Sequence, residues 1–287
     1  MTLLDQAAEL RQIARRVNHR AQTIAITSGK GGVGKTNLAV NLATVLATAQ
    51  RRVVLMDADM GLANADILCN IQPRYNLAHV VAGQRRMPEV LTPTPNGFSL
   101  VAGASGLTRM AELSEQDRAR ILQELETLQD AADVIIIDTG AGISRNVMAF
   151  TAAADHVVVV TTPEPTAITD AYAVLKVLIR SGSKAHLSLM VNQVRNRDEA
   201  RAVHDRISSV ARQFLQAELA FSGYVVADPC VSQSVRKRAA FVKEFPKSAA
   251  CQCVEAWANR LAQHVDVARV AQRPTGGFFN RLASWWR

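Results

Sequence analysis

Residues 29–36 read GKGGVGKT, which satisfies the spacing G-x-x-x-x-G-K-[ST]. Gly29, Gly31, Gly32 and Gly34 let the chain curl so that successive backbone N–H groups point inward, and such a ring of donors holds phosphate oxygens. In the loop formed by Gly29, Lys30, Gly31, Gly32, Val33, Gly34, Lys35 and Thr36, Lys35 is expected to reach the β- and γ-phosphates of a nucleoside triphosphate, and the Thr36 hydroxyl to ligate Mg2+. The helix expected to open at Lys35 turns the positive end of its dipole toward the same anion.

Three carboxylates accompany the loop. Asp57 and Asp59 stand in VVLMDADMGLANAD, and Asp138 stands in VIIIDTGAGI. Asp57 is expected in the Mg2+ shell. Gly140 and Gly142 after Asp138 give that second loop freedom to move.

Residues 23–28 read as a buried strand, followed by a helix over 35–49. Further strands are expected at 52–57, 98–102, 134–138, 157–161, 187–192 and 224–226. Helical spacing marks 114–129, 166–181, 198–216 and 248–264. Continuous apolar strands alternating with helices predict an α/β fold, a P-loop NTPase with a mostly parallel central sheet covered by helices on both faces. Ligands of such sheets bind beyond the carboxyl ends of the strands. The loops 29–36, 57–66 and 138–143 all follow strands, so they are expected to converge there.

The chain has 287 residues, nearly half of them apolar, enough for one large domain with appendages. Its four cysteines contain no C-x-x-C pair, which argues against a zinc site or an iron–sulfur cluster carrier and for free thiols in a reducing compartment. No secretory signal is recognisable, and no apolar run reaches the ~20 residues of a bilayer span. The net charge of +8 is concentrated toward the ends. Arg11, Arg15, Arg16 and Arg20 outnumber Asp5 and Glu9, while Arg269, Arg273, Arg281 and Arg287 meet no acid after residue 268. That distribution favours end segments that touch acidic surfaces over a core built on sequence-specific nucleic acid.

The second lysine, Lys30 in K-G-G-x-G-K-T, resembles the deviant Walker A ATPases of the MinD/ParA group; the shared motifs extend over roughly 240 residues. The resemblance implies ATP and Mg2+ as cofactors and an ATP-bound homodimer in which Lys30 reaches the partner's phosphates. A cation supplied in trans can be worth ~10³–10⁵ in rate. It also implies a first-switch role for Asp59 in orienting the attacking water. At an ordinary carboxylate pKa of ~3.9, positioning suits Asp59 better than full proton abstraction. Asp138 takes the place of the Walker B carboxylate, acting on Mg2+ through a water, and Asn64 joins the phosphate environment. Asn192, Asp228 and Pro229 fall where MinD-like proteins hydrogen-bond adenine.

The two ends narrow the resemblance. DQAAELR at residues 5–11, with TPEPTAITDAY at 162–172, is similar to the FlhG family, also called FleN or YlxH, MinD-like ATPases that control flagellar placement and number. In that family the N-terminal helix stimulates an FlhF-type GTPase, which implies partner contacts for Asp5, Gln6, Leu10 and Arg11. At the other end Phe278, Leu282 and Trp285 share one helical face, with Phe279 and Trp286 beside them and arginines opposite, the pattern of an interfacial helix. It resembles the membrane-targeting helix of MinD. The chain is therefore divided into a partner-activating helix (1–20), the ATPase domain (21–268), a linker (269–277) and an amphipathic helix (278–287).

The expectation is an enzyme converting ATP and water to ADP and phosphate. It is expected to be cytoplasmic, and in its ATP state peripheral on anionic lipid at the inner face of the cell membrane. A flagellar transcription regulator or switch component is a further expected partner. The competing expectation is a ParA-type ATPase of DNA segregation or cell-division positioning.

Overall fold

A computed structural model describes residues 20–59, 64–103, 114–268 and 277–285, without side-chain detail at 264–268. The expected N-terminal helix, with Asp5, Gln6, Leu10 and Arg11, lies outside the described residues, as do Trp286 and most of the linker.

Eight strands form one sheet in the order β3-β4-β2-β5-β1-β6-β7-β8. They are β1 (Gln22–Ser28), β2 (Val53–Ala58), β3 (Thr92–Pro93), β4 (Ser99–Val101), β5 (Val134–Ala141), β6 (His156–Thr161), β7 (His186–Val194) and β8 (Ala220–Val226). All neighbours run parallel except β3 against β4. The central strands are buried on both faces, as their unbroken Val, Ile and Leu runs require.

Twelve helices are described: α1 (Lys35–Thr48), α2 (Ala65–Leu68), α3 (Leu77–Val81), α4 (Met87–Val90), α5 (Glu115–Ala131), α6 (Arg145–Ala153), α7 (Pro165–Arg180), α8 (Arg197–Leu215), α9 (Pro229–Arg236), α10 (Phe241–Glu244), α11 (Ala249–Ala268) and α12 (Phe278–Ser284). On one face α1 and α11 close a core centred on Leu38, Leu42 and Trp257. On the other, α5, α6, α7 and α8 cover Ile135, Ile137 and Val157. The expected mostly parallel sheet with helices on both faces is the architecture observed. Ser114 caps α5, its Oγ accepting from the Asp117 N–H at 3.1 Å. The sequence reading did not anticipate α6, α9 or the short helices between β2 and β4.

The C-terminal helix is docked on the domain. Phe278, Phe279 and Leu282 are fully buried, packed into the core beside α5 and α6, and Trp285 is half-buried. Arg281 fastens the helix, donating to Asp155 Oδ1 at 2.6 Å and to the Ala153 carbonyl at 2.8 Å. Asn280 adds a bond to Glu126, and Arg145 donates to the Trp285 carbonyl. The face expected to meet lipid thus faces the protein here. Its aromatic side chains remove from water an apolar seam that would otherwise lie open between α5 and α6.

Candidate functional site

Three adjacent strands, β1, β5 and β2, deliver the site. Their pairing sets Ile26 beside Asp138 and Asp138 beside Asp57. The loops leaving their carboxyl ends therefore converge by registration of the sheet, and not by any closeness in sequence.

The loop after β1 has the shape that its glycines allow. Gly32 and Gly34 adopt positive φ of 80° and 93°, and nothing lies within 4 Å of where a Cβ would stand at Gly31 or Gly32. Gly29 packs so closely on α7 that a Cβ would collide with the Asp170 carbonyl. Immediately after Gly34, α1 begins, its first N–H groups unbonded within the helix and directed at the loop. Lys35 is buried; burial lowers its pKa, against the opposing pull of Asp138 and Asp59.

The carboxylates are held in an environment short of positive charge. Asp138 is completely buried, and neither of its oxygens has a well-formed hydrogen-bond partner. Burial pushes it up to about 7, with Asp57 and Asp59 adding to the rise and the Thr36 hydroxyl and Lys35 opposing it. Burial likewise pushes Asp57 up to about 6. Its oxygens accept the backbone N–H groups of Asp59, Asn64 and Ala65, each at 3.1 Å, so Asp57 also braces the loop that carries Asp59. Asp59 meets the second loop: a Cβ on Gly140 would stand 3.3 Å from its Oδ1. Asn64 offers only its main chain to this network, and its side chain is exposed.

Two buried carboxylates on paired strands, beside the Thr36 hydroxyl that faces Asp138, are a donor set suited to a hard divalent cation. Thr36 and Asp138 would hold such an ion, Asp138 through water, with Asp57 beside them. The cation would supply charge that neutralises phosphate oxygens and lowers the cost of ionising both acids.

Next to the loop opens a cavity of about 790 Å3, enough for a nucleoside, bordered by Gly34, Asn37, Leu38, Asn192, Pro229 and Phe241. The Asn192 amide donates to the Val33 carbonyl at 2.8 Å, which fixes its oxygen and remaining N–H near the cavity. Gly34 again has to be glycine, since a Cβ would stand 2.5 Å from that amide nitrogen. The Asp228 carboxylate serves mainly as a cap, accepting from the Cys230 N–H at 2.9 Å and the Ala250 N–H at 3.2 Å; these bonds lower its pKa. Asn37, Leu38 and Phe241 went unnoticed in the sequence because their approach to the cavity depends on how α1 and α10 pack.

Lys30 is turned away from the loop. Its ammonium donates to Glu164 Oε2 at 2.7 Å and to the Thr166 hydroxyl at 3.1 Å, at the start of α7. Both ends of this pair are largely exposed. Neither partner was singled out from sequence, because 134 residues separate Lys30 from Glu164.

Fold and loop together define a P-loop NTPase whose signature carries a second lysine. A sequence family described as an AAA domain matches residues 21–189. Over 258 residues the chain is 39% identical to the antiactivator FleN of Pseudomonas aeruginosa, covering 90% of this chain and 91% of that protein. It is 35% identical over 265 residues to the flagellum site-determining protein YlxH of Helicobacter pylori, covering 91% and 90% of the two chains. Among solved structures it superposes on the cell-division ATPase MinD of Pyrococcus furiosus with a TM-score of 0.69 at 22% identity, covering 85% of this chain and 99% of that one, a likeness of fold. The chain belongs to the FleN/YlxH (FlhG) family of MinD/ParA-type ATPases.

Proposed function

We propose that the protein is an Mg2+-dependent ATPase that dimerises on ATP, docks on the inner membrane surface and regulates flagellar placement or number; the name of YlxH, a flagellum site-determining protein, supports the flagellar part of this reading. The observation that carries this reading is the joining of the glycine cradle to a surface-held Lys30 and the buried Asp57–Asp138 pair. The cradle N–H groups and Lys35 bind the phosphates. Asp59, lodged against Gly140, would orient the attacking water, and Asp138 would hold Mg2+ through a water. Lys30 leaves Glu164 and crosses to the partner's phosphates, where it offsets the charge that develops as the γ-phosphate departs.

Membrane docking requires α12 to leave the domain. Its Phe278, Phe279, Leu282 and Trp285, with Trp286, form the lipid-facing set, and two helices in a dimer hold the surface better than one. Residues 1–20 present Asp5, Gln6, Leu10 and Arg11 to an FlhF-like GTPase, and a transcription regulator or switch component is a further partner.

Lys30→Ala tests the core of this reading. With Mg2+ and a non-hydrolysable ATP analogue, light scattering should show a monomer that still binds nucleotide; a dimer of undiminished stability would overturn it. GTP hydrolysis by an FlhF-like protein should rise with a peptide of residues 1–20 and not with its Gln6→Ala version. If neither peptide acts and the protein instead binds random duplex in a salt-dependent manner, the DNA-segregation reading replaces it.

A further inference from the structure

The sheet ends at β8, and a recess of 540 Å3 runs along it between α8 and α11, away from the nucleotide loop. Three arginines border the recess: Arg197 and Arg201, one turn apart on α8, and Arg260 on α11. None of them pairs with a carboxylate among the described residues, although Arg195 beside them is paired with Glu199. Each arginine is placed by a different feature. Arg201 lies over the Phe221 ring with its guanidinium 4.1 Å from the centroid. Arg260 donates from Nε to the Ser222 carbonyl at 3.1 Å and reaches the strand because Gly223 has no side chain; a Cβ there would stand 2.5 Å from its Nη2. Gly223 has φ 155° at a break in the β7–β8 register, so residue and backbone both serve this approach. On α11 the small, exposed Ala249 and Ala256 leave the recess open.

Arginines commonly shield a sheet edge from unwanted pairing. Shielding does not require a guanidinium partly withdrawn from water beside two like charges, yet burial, with Arg197 and Arg201 adding to the effect, lowers the Arg260 pKa. Such a guanidinium is stabilised by an incoming anion. A strand edge offers unpaired main-chain groups to an extended segment, and side chains alternating along that segment fall on the flanking helices.

We propose that the β8 edge is a docking groove for an extended acidic segment of a partner protein, which adds along β8 and places carboxylates on Arg197, Arg201 and Arg260. The groove shares only Val226 with the lining of the nucleoside cavity, and its use does not depend on the reading given above. Base stacking is not favoured at Phe221, whose ring is already covered by Arg201.

The test uses the full-length protein and a fluorescein-labelled ten-residue peptide alternating Glu and Thr. Anisotropy should report saturable binding at low salt, and amide hydrogen exchange should slow over residues 220–226. Replacing every Glu by Gln in the peptide, or making Arg197→Gln with Arg201→Gln, should weaken binding by about tenfold or more. Ala256→Glu, which fills the groove and leaves every arginine in place, should do the same. ATP turnover should be unchanged in both variants, which also shows that they fold. Failure to bind at about 1 mM peptide, equal binding by the variants, exchange slowed elsewhere, or tighter binding of a ten-nucleotide oligothymidylate would each overturn the proposal.

Discussion

Asp57 and Asp138 stand opposite each other on β2 and β5, two buried carboxylates on paired positions. An arrangement of this kind is unfavourable until positive charge arrives. It makes the site responsive to metal, nucleotide and proton together.

The first prediction concerns pH. Between about pH 4 and pH 7 the unfolded chain releases the Asp138 proton while the folded protein, held up to about 7, retains it. The folded state then binds more protons, so stability of the nucleotide-free protein should fall as pH rises through this window and level off above it. Asp138→Asn, neutral at every pH, should make the profile shallower, leaving the part due to Asp57, and raise stability at pH 8 by up to roughly 4 kcal/mol, while abolishing the added stability from Mg2+ and ATP. Urea unfolding at pH 5 and pH 8 measures both; a profile unchanged by the substitution would remove Asp138 from this role.

Glu164→Gln should make Lys30 more available. Because the pair is exposed, its loss is worth only about 0.2–1 kcal/mol per subunit, and two such pairs break per dimer, so the ATP-dependent dimer should tighten by no more than roughly thirtyfold. Sedimentation velocity across a concentration series would detect it, and a weakened dimer would mean that Glu164 acts in the dimer itself.

Releasing α12 should expose two faces at once. Arg281→Ala removes the bonds to Asp155 and Ala153 and should cost about 1–3 kcal/mol of stability. It should also raise co-sedimentation with anionic liposomes in the absence of nucleotide. Phe279→Ala should cost about 3–5 kcal/mol and lower liposome binding, because the same ring serves both the docked and the lipid-bound helix. Greater stability in either variant would contradict the packing seen here.

Gly29→Ala drives a methyl group into the Asp170 carbonyl. The phosphate loop must shift away from α7, and ATP affinity should fall by about tenfold or more in a titration with labelled nucleotide, while the far-UV spectrum stays that of the parent.

Much of the site could be read along the chain, because its chemistry is carried by short contiguous stretches. GKGGVGKT specifies its own turn through glycine, and DADMGLANAD and VIIIDTG each end an apolar strand, so the three loops could be assigned to one end of a parallel sheet before any contact was known. What could not be read was how each side chain is occupied. Asp57 braces a loop as well as facing the metal position, Asp228 caps α9 and ties α11, and Lys30 rests on Glu164. These are hydrogen-bond partners chosen among many equivalent polar residues by distance in space.

The C-terminal helix shows the same division. Its sequence determined that one face is aromatic and apolar and therefore has to be covered. Whether lipid or protein covers it depends on the seam between α5 and α6, which exists only once the sheet has brought residues 115–131 and 145–153 side by side. Periodicity along a chain records how much apolar surface a segment carries; the partner that removes it from water is set by tertiary packing.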